Sequence, residues 1–171
     1  MTLDLITIAL LILLPVLVWR VYARIKSRMV RQRSIVSRHY TGLLAFFAMV
    51  AVPASELTDP LAVAGLAGGT IAGLALGVYG LRTTRFENTD EGYFFTPNAR
   101  LGLLVAMALV ARIAYLGMLI YANKGSNMPT PRIGDSPLTM LTVGLAAGYF
   151  WMYSAGLLRW RMKIRKEIGT F

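Results

Sequence analysis

The sequence has no cysteine and a single histidine, His39. That excludes disulfide exchange, thiolate nucleophiles, iron–sulfur ligation and cysteine-type zinc sites, and also a two-histidine metal or haem site within one chain. Acid is scarce too, with 8 Asp and Glu against 18 Lys and Arg in 171 residues, a net charge of +10. The only carboxylates within the long apolar runs, Asp4 and Glu56, stand at their ends, so no intramembrane carboxylate pair is available for acid–base work. The phosphate-cradling GxxxxGK[ST] pattern, HExxH and GxSxG are also missing. A serine or tyrosine nucleophile would need a base, and His39 lies in a strongly basic stretch. The chain therefore reads as non-catalytic, with no cofactor and no metal expected.

What the chain has in abundance is apolar sequence, 56% of residues against 15% charged, too greasy for an ordinary soluble domain. The apolar residues gather in five runs, about 3–22, 40–57, 61–81, 101–122 and 138–158. Each approaches the ~20 residues that cross ~30 Å of hydrocarbon. The expectation is an all-α integral membrane bundle of five transmembrane helices, one domain over 1–171. The first run is expected to be retained, because its amino end carries Asp4 rather than Lys or Arg, basic residues follow it and no A-x-A-like cleavage site is present.

The basic residues assign the sides. Seven lie between the first two runs (Arg20, Arg24, Lys26, Arg28, Arg31, Arg33 and Arg38), three at the third connection (Arg82, Arg85 and Arg100), and five after the last run (Arg159, Arg161, Lys163, Arg165 and Lys166). The second connection has Glu56 and Asp59 with no base, and the fourth has only Lys124 and Arg132. The positive-inside rule then predicts an external amino terminus and a cytoplasmic carboxyl terminus. Residues 40–81 could also dip and return as a re-entrant hairpin, which charge counting does not separate from two full crossings. Length favours the crossings, at roughly 27 and 31 Å of helix.

In the third run Gly65, Gly69, Gly73 and Gly77 recur at every fourth position, with Gly68 beside them. Such spacing lets another backbone approach closely. It fits packing within the chain, homodimerisation or docking of a partner membrane subunit, or a glycine-lined path. Pro15 and Pro53 are expected to bend the first two helices. Between the third and fourth runs, residues 84–87 and 93–96 are β-prone around a turn-forming 88–92, which predicts a short cytoplasmic β-hairpin over 83–97. Tyr93, Phe94 and Phe95 suit a membrane-interface belt or a docking surface. Asn98 reads as the N-cap of the next helix, with Pro97 barring earlier entry. The first connection is expected to prolong the first helix, Val21, Ile25 and Met29 on one face and Arg24, Arg28 and Arg31 on another, lying on anionic lipid at the cytoplasmic side. The segment 159–166 reads the same way, with Trp160 at the interface. Because the positive-inside pattern absorbs the charge, no nucleic-acid partner is expected.

Arg112 interrupts the uncharged stretch 101–123 at its midpoint. A guanidinium near the bilayer centre costs roughly 2.5–3.5 kcal/mol on insertion scales. Each helix end lies roughly 16 Å away, beyond its reach. Glu56 is the nearest candidate carboxylate, and Tyr79, Thr142, Tyr149, Tyr153 and Ser154 supply hydroxyls. Such an arginine either fixes the bundle or receives an anionic ligand, and it is a poor proton carrier.

The segment 84–115 resembles the CcdC-type family of small bacterial multi-pass membrane proteins. The likeness runs through Arg85-Phe86-Glu87, Asp90-Glu91-Gly92-Tyr93, Pro97-Asn98 and a greasy helix containing Ala111-Arg112-Ile113. The resemblance implies a bacterial cytoplasmic-membrane location, and it marks Phe86, Glu87, Gly92, Tyr93, Pro97, Asn98 and Arg112 as the positions that matter. Some members are linked by name and gene neighbourhood to cytochrome c maturation. This chain has no Cys to pass electrons and no histidine pair for haem, so that role is not carried over. The favoured expectation is an accessory or scaffold protein binding partner proteins or lipid. The alternative is a small anionic-solute carrier or channel-like module using Arg112.

Overall fold

A computed structural model describes Val16, Trp19, Arg20 and residues 22–24, 32–89, 92–123, 134 and 136–168. It is largely helical. Four long helices, α1 (Val36–Glu56), α2 (Pro60–Arg82), α3 (Ala99–Ala122) and α4 (Pro137–Ile168), correspond to the second to fifth apolar runs. Of the first run and the basic helix expected after it, Val16, Trp19, Arg20 and residues 22–24 are helical, and the rest, Pro15 included, lies outside the described residues.

Three segments are long and apolar enough to cross a membrane: Pro60–Arg82, Arg100–Ala122 and Pro137–Lys166. Apolar side chains such as Leu44, Leu61, Ile71 and Leu104 are about 70% exposed, a surface suited to lipid rather than water. Together these mark a membrane protein. Helix α1 is absent from that set although it has 21 residues. Ser37, Arg38 and His39 at its start and Pro53, Ser55 and Glu56 at its end dilute the apolar stretch. The helix continues through Pro53 and closes with Leu57 N–H donating to the Pro53 carbonyl at 3.0 Å.

Helix α4 is the hub, touching the other three, and its closest partner is α2. The two run parallel. A Cβ added at Gly65, Gly69 or Gly73 would strike the carbonyls of Pro137, Leu141 or Leu145, and one at Gly77 would lie 2.8 Å from the Tyr149 carbonyl. The approach is reciprocal, because Gly144 and Gly148 of α4 face the carbonyls of Leu66 and Thr70. Backbones meet this closely only where side chains are missing. The expected glycine face is thus occupied by a helix of the same chain. Helices α1 and α3 run antiparallel to α4. Gly42 lies against Ser154 and Phe46 stacks on Phe150 at 5.2 Å, while Val105 packs with Ala146 and Tyr149.

The expected hairpin forms, with β2 (Arg85–Thr89) antiparallel to β3 (Gly92–Thr96). Gly92 sits at φ +130, a conformation that side chains resist. The sheet is larger than expected, because β1 (Gln32–Arg33) from the first connection pairs with the other edge of β3 in the order β1–β3–β2. Gln32 and Arg33 are therefore strand, and the other edge of β3 is covered. Phe86, Tyr93 and Phe95 share one face, which seats on α4: Phe95 is buried with Tyr153 and Leu157, and Phe86 lies 4.7 Å from Trp160. With 32 residues, α4 spans roughly 48 Å, about three turns more than the hydrocarbon needs, and that surplus carries the sheet.

Candidate functional site

The sheet end of the bundle collects the buried polar groups. His39, on the first turn of α1, is 6% exposed and its Nε2 lies 2.9 Å from Ser34 Oγ. Its ring meets Phe95 edge-on at 6.1 Å. Burial, and then the charge of Arg161, hold its imidazole below the ordinary 6.5. Across the same end, Thr84 Oγ1 donates to the Gly80 carbonyl at 2.8 Å and shares a 2.9 Å hydrogen bond with Tyr153 OH. These bonds weld the exit of α2 to α4. Asn98 caps α3 as expected, its Oδ1 accepting from Arg100 N–H at 3.2 Å, while its Nδ2 donates to Thr83 Oγ1 at 3.0 Å.

Three cavities open at this end. One of about 360 Å³ lies between α1, α3, α4 and the sheet, with Phe95, Ala106, Phe150 and Leu157 as apolar walls and Arg33, Arg38, His39 and Asn98 among its polar ones. A second, of about 430 Å³, is lined by Arg33, Ser34, Gly92, Tyr93 and Arg161. The third, of about 310 Å³, shares Val36, Tyr93 and Arg161 with the second and adds Tyr40, Leu158 and Met162. The Arg161 guanidinium stacks 3.8 Å over the Tyr93 ring. A hydroxyl bonded to an imidazole, as in Ser34–His39, is the pairing that activates serine nucleophiles. Both residues are buried, and among the described residues no carboxylate orients the other ring nitrogen. No group of three potential metal ligands occurs among the described residues.

The other marked residues divide between the two ends. Arg85, Phe86 and Glu87 lie on β2, opposite Thr96, Phe95 and Phe94, and Gly92 and Tyr93 open β3. Pro97 and Asn98 border the 360 Å³ cavity. Arg112 is remote from all of them. Its Nη2 donates to Ser136 Oγ at 2.7 Å, its Nε donates to Thr139 Oγ1 at 3.0 Å, and its guanidinium lies 5.2 Å from the centre of the Tyr115 ring. Glu56, the carboxylate expected nearby, is exposed at the last residue of α1 and forms no ion pair with it.

Ser136 and Thr139 mark the first turn of α4, so the guanidinium is level with the start of that helix, while α3 runs on past it to Ala122. Ser136 serves twice, because its Oγ also accepts from Thr139 N–H at 3.4 Å and its carbonyl accepts from Met140 N–H at 3.0 Å, the N-cap geometry. Sequence reasoning missed Ser136 and Thr139, although Ser before Pro is a helix-start signal. It also missed Gly144 and Gly148, which repeat the four-residue spacing of α2.

No curated protein and no solved structure matches the chain. A family model described as CcdC protein matches residues 1–167. That match takes in the hairpin, the Asn98 cap and the Arg112 helix together, and it shows the chain to be a member of the CcdC family.

Proposed function

We propose that this protein is a non-catalytic accessory or scaffold of the bacterial cytoplasmic membrane that binds partner proteins or lipid at its sheet-bearing end. In this reading it crosses the bilayer five times, with the amino terminus outside and the hairpin and carboxyl terminus in the cytoplasm. The charge asymmetry supports that orientation, since Arg33, Arg38, Arg82, Arg85, Arg161 and Arg165 gather at the end carrying the sheet. The packing of α2 along α4 from Gly65 to Gly77, within a helix long enough to cross, supports full crossings over a dip and return.

The observation that carries the reading is the sheet itself. Segments separated by fifty residues of chain close over the helix ends, and Phe86, Tyr93 and Phe95 fasten the sheet to an overlong α4. That is a fixed platform bearing aromatic and basic side chains, suited to recognition. The hydrogen bonds of Arg112 to Ser136 and Thr139 favour an arginine that fixes the bundle over one that receives a passing solute. A photo-crosslinking amino acid placed at Arg85 in living cells, with Leu104 on the apolar surface as the control, tests this. A discrete adduct from Arg85 that Leu104 does not give is expected. The same diffuse labelling from both positions would defeat the reading.

A further inference from the structure

Two cavities share Val36, Tyr93 and Arg161 where α1 and α4 leave the bundle. One adds Arg33, Ser34 and Ile35, the other Tyr40, Leu158, Met162 and Arg165. Both are walled mainly by apolar side chains, with arginines at the border. Arg161 lines both, its guanidinium carbon over the Tyr93 ring. Its Nε is buried with no hydrogen-bond acceptor among the described residues. Buried donors are nearly always paired, so an unpaired one is an exception that asks for an explanation. Loose surface arginines that merely set topology need no such enclosure.

We propose that these cavities form a binding site for one anionic phospholipid, with the phosphodiester between Arg33 and Arg161 and an acyl chain along Val36, Tyr40 and Leu158. The guanidinium supplies planar, always-charged donors matched to phosphate oxygens, and its contact with Tyr93 holds it in place before a ligand arrives. The site belongs at a membrane interface, where a headgroup and the start of its chain fall in the two cavities. Tyr40, 55% exposed, and Met162, 48% exposed, give a chain lateral entry from the bilayer. The inference rests on the reading that this end meets the cytoplasmic leaflet, and it turns a general affinity for anionic lipid into a single site.

The test is titration of the full-length protein, purified in mild detergent, with phosphatidylglycerol, phosphatidylcholine or glycerol phosphate, read by native mass spectrometry. One saturable phosphatidylglycerol adduct is expected, with phosphatidylcholine at least about tenfold weaker. Arg161→Gln and Arg33→Gln should each weaken phosphatidylglycerol by about tenfold, the scale of one lost charge-assisted contact. Arg82→Gln, an exposed cation at the same end that lines neither cavity, should leave it unchanged. If Arg161→Gln does not fold, the exposed Arg33 carries the comparison. Equal binding of phosphatidylcholine, or an Arg82→Gln loss as large as that of Arg161→Gln, would reduce the site to diffuse attraction and overturn it. Glycerol phosphate binding as tightly as the lipid would make it a site for soluble phosphate and overturn it too. Crosslinking from Arg85 is read separately, so loss of the lipid site leaves the scaffold reading standing, and the reverse.

Discussion

Gly68 and Gly69 are neighbours on α2, yet the same substitution should act on them in opposite directions. A Cβ at Gly69 would collide with the Leu141 carbonyl oxygen and lie 2.8 Å from its carbon and 3.0 Å from its Cα. All three are backbone atoms, so relief requires the two helices to separate. Overpacking of this kind costs about 1–3 kcal/mol, partly offset by the ~0.5–1 kcal/mol a helix gains when alanine replaces glycine. Gly69→Ala should therefore be destabilising by up to about 2.5 kcal/mol net. A Cβ at Gly68 has nothing within 4 Å, so Gly68→Ala should keep the helix gain of about 0.5–1 kcal/mol. The assay is equilibrium unfolding of purified protein in mixed detergent micelles, followed by tryptophan emission, with oligomeric state measured in parallel. The glycine face is filled by α4, so Gly69→Ala should weaken the fold without changing oligomeric state. Equal stability of the two variants would refute the close approach of α2 and α4. A shift from dimer to monomer at unchanged stability would assign the face to another copy.

Two further outcomes follow from the polar groups. Ser136→Ala should cost about 1.5–3 kcal/mol through the lost charged hydrogen bond, with the lost cap adding about 1 kcal/mol. A double-mutant cycle with Arg112→Met should give a coupling of at least ~1 kcal/mol, and additivity within ~0.5 kcal/mol would show that the two side chains do not interact. His39, held below its ordinary value by burial and by Arg161, binds a proton more readily in the unfolded chain. Its contribution to stability is therefore fully present above that ordinary value and is lost as pH falls toward the lower folded value. Between about pH 7.5 and about 5.5 the wild type should lose more thermal stability than His39→Gln, and parallel losses would remove His39 as the cause.

The parts of this fold that were legible in the sequence are those written in local spacing. Asn98 after Pro97 gave the cap of α3, the β-prone stretches on either side of 88–92 gave the hairpin, and four-residue glycine spacing gave a face of close approach. Strand β1 was not legible, because Gln32 and Arg33 carry no strand signal of their own and pair with Phe95 and Phe94 sixty residues away. The partners of Arg112 were hidden for a related reason. Counting along one run measures depth only within its own helix, whereas the stagger of α3 against α4 is set by packing of Val105 on Ala146 and Tyr149. Ser34 beside His39 was equally invisible, since the bend between β1 and α1 that brings them together depends on the sheet.

The central claim is that the sheet-bearing end faces the cytoplasm and that residues between successive helices alternate sides. Because the chain has no cysteine, single substitutions report without background. Thr2→Cys, Thr58→Cys, Asn88→Cys and Lys166→Cys would each be treated in intact cells with a membrane-impermeant maleimide, and again after permeabilisation. The account predicts labelling at positions 2 and 58 in intact cells, and at 88 and 166 only once the membrane is opened. Labelling of Asn88→Cys from outside, or protection of Thr58→Cys until permeabilisation, would contradict it.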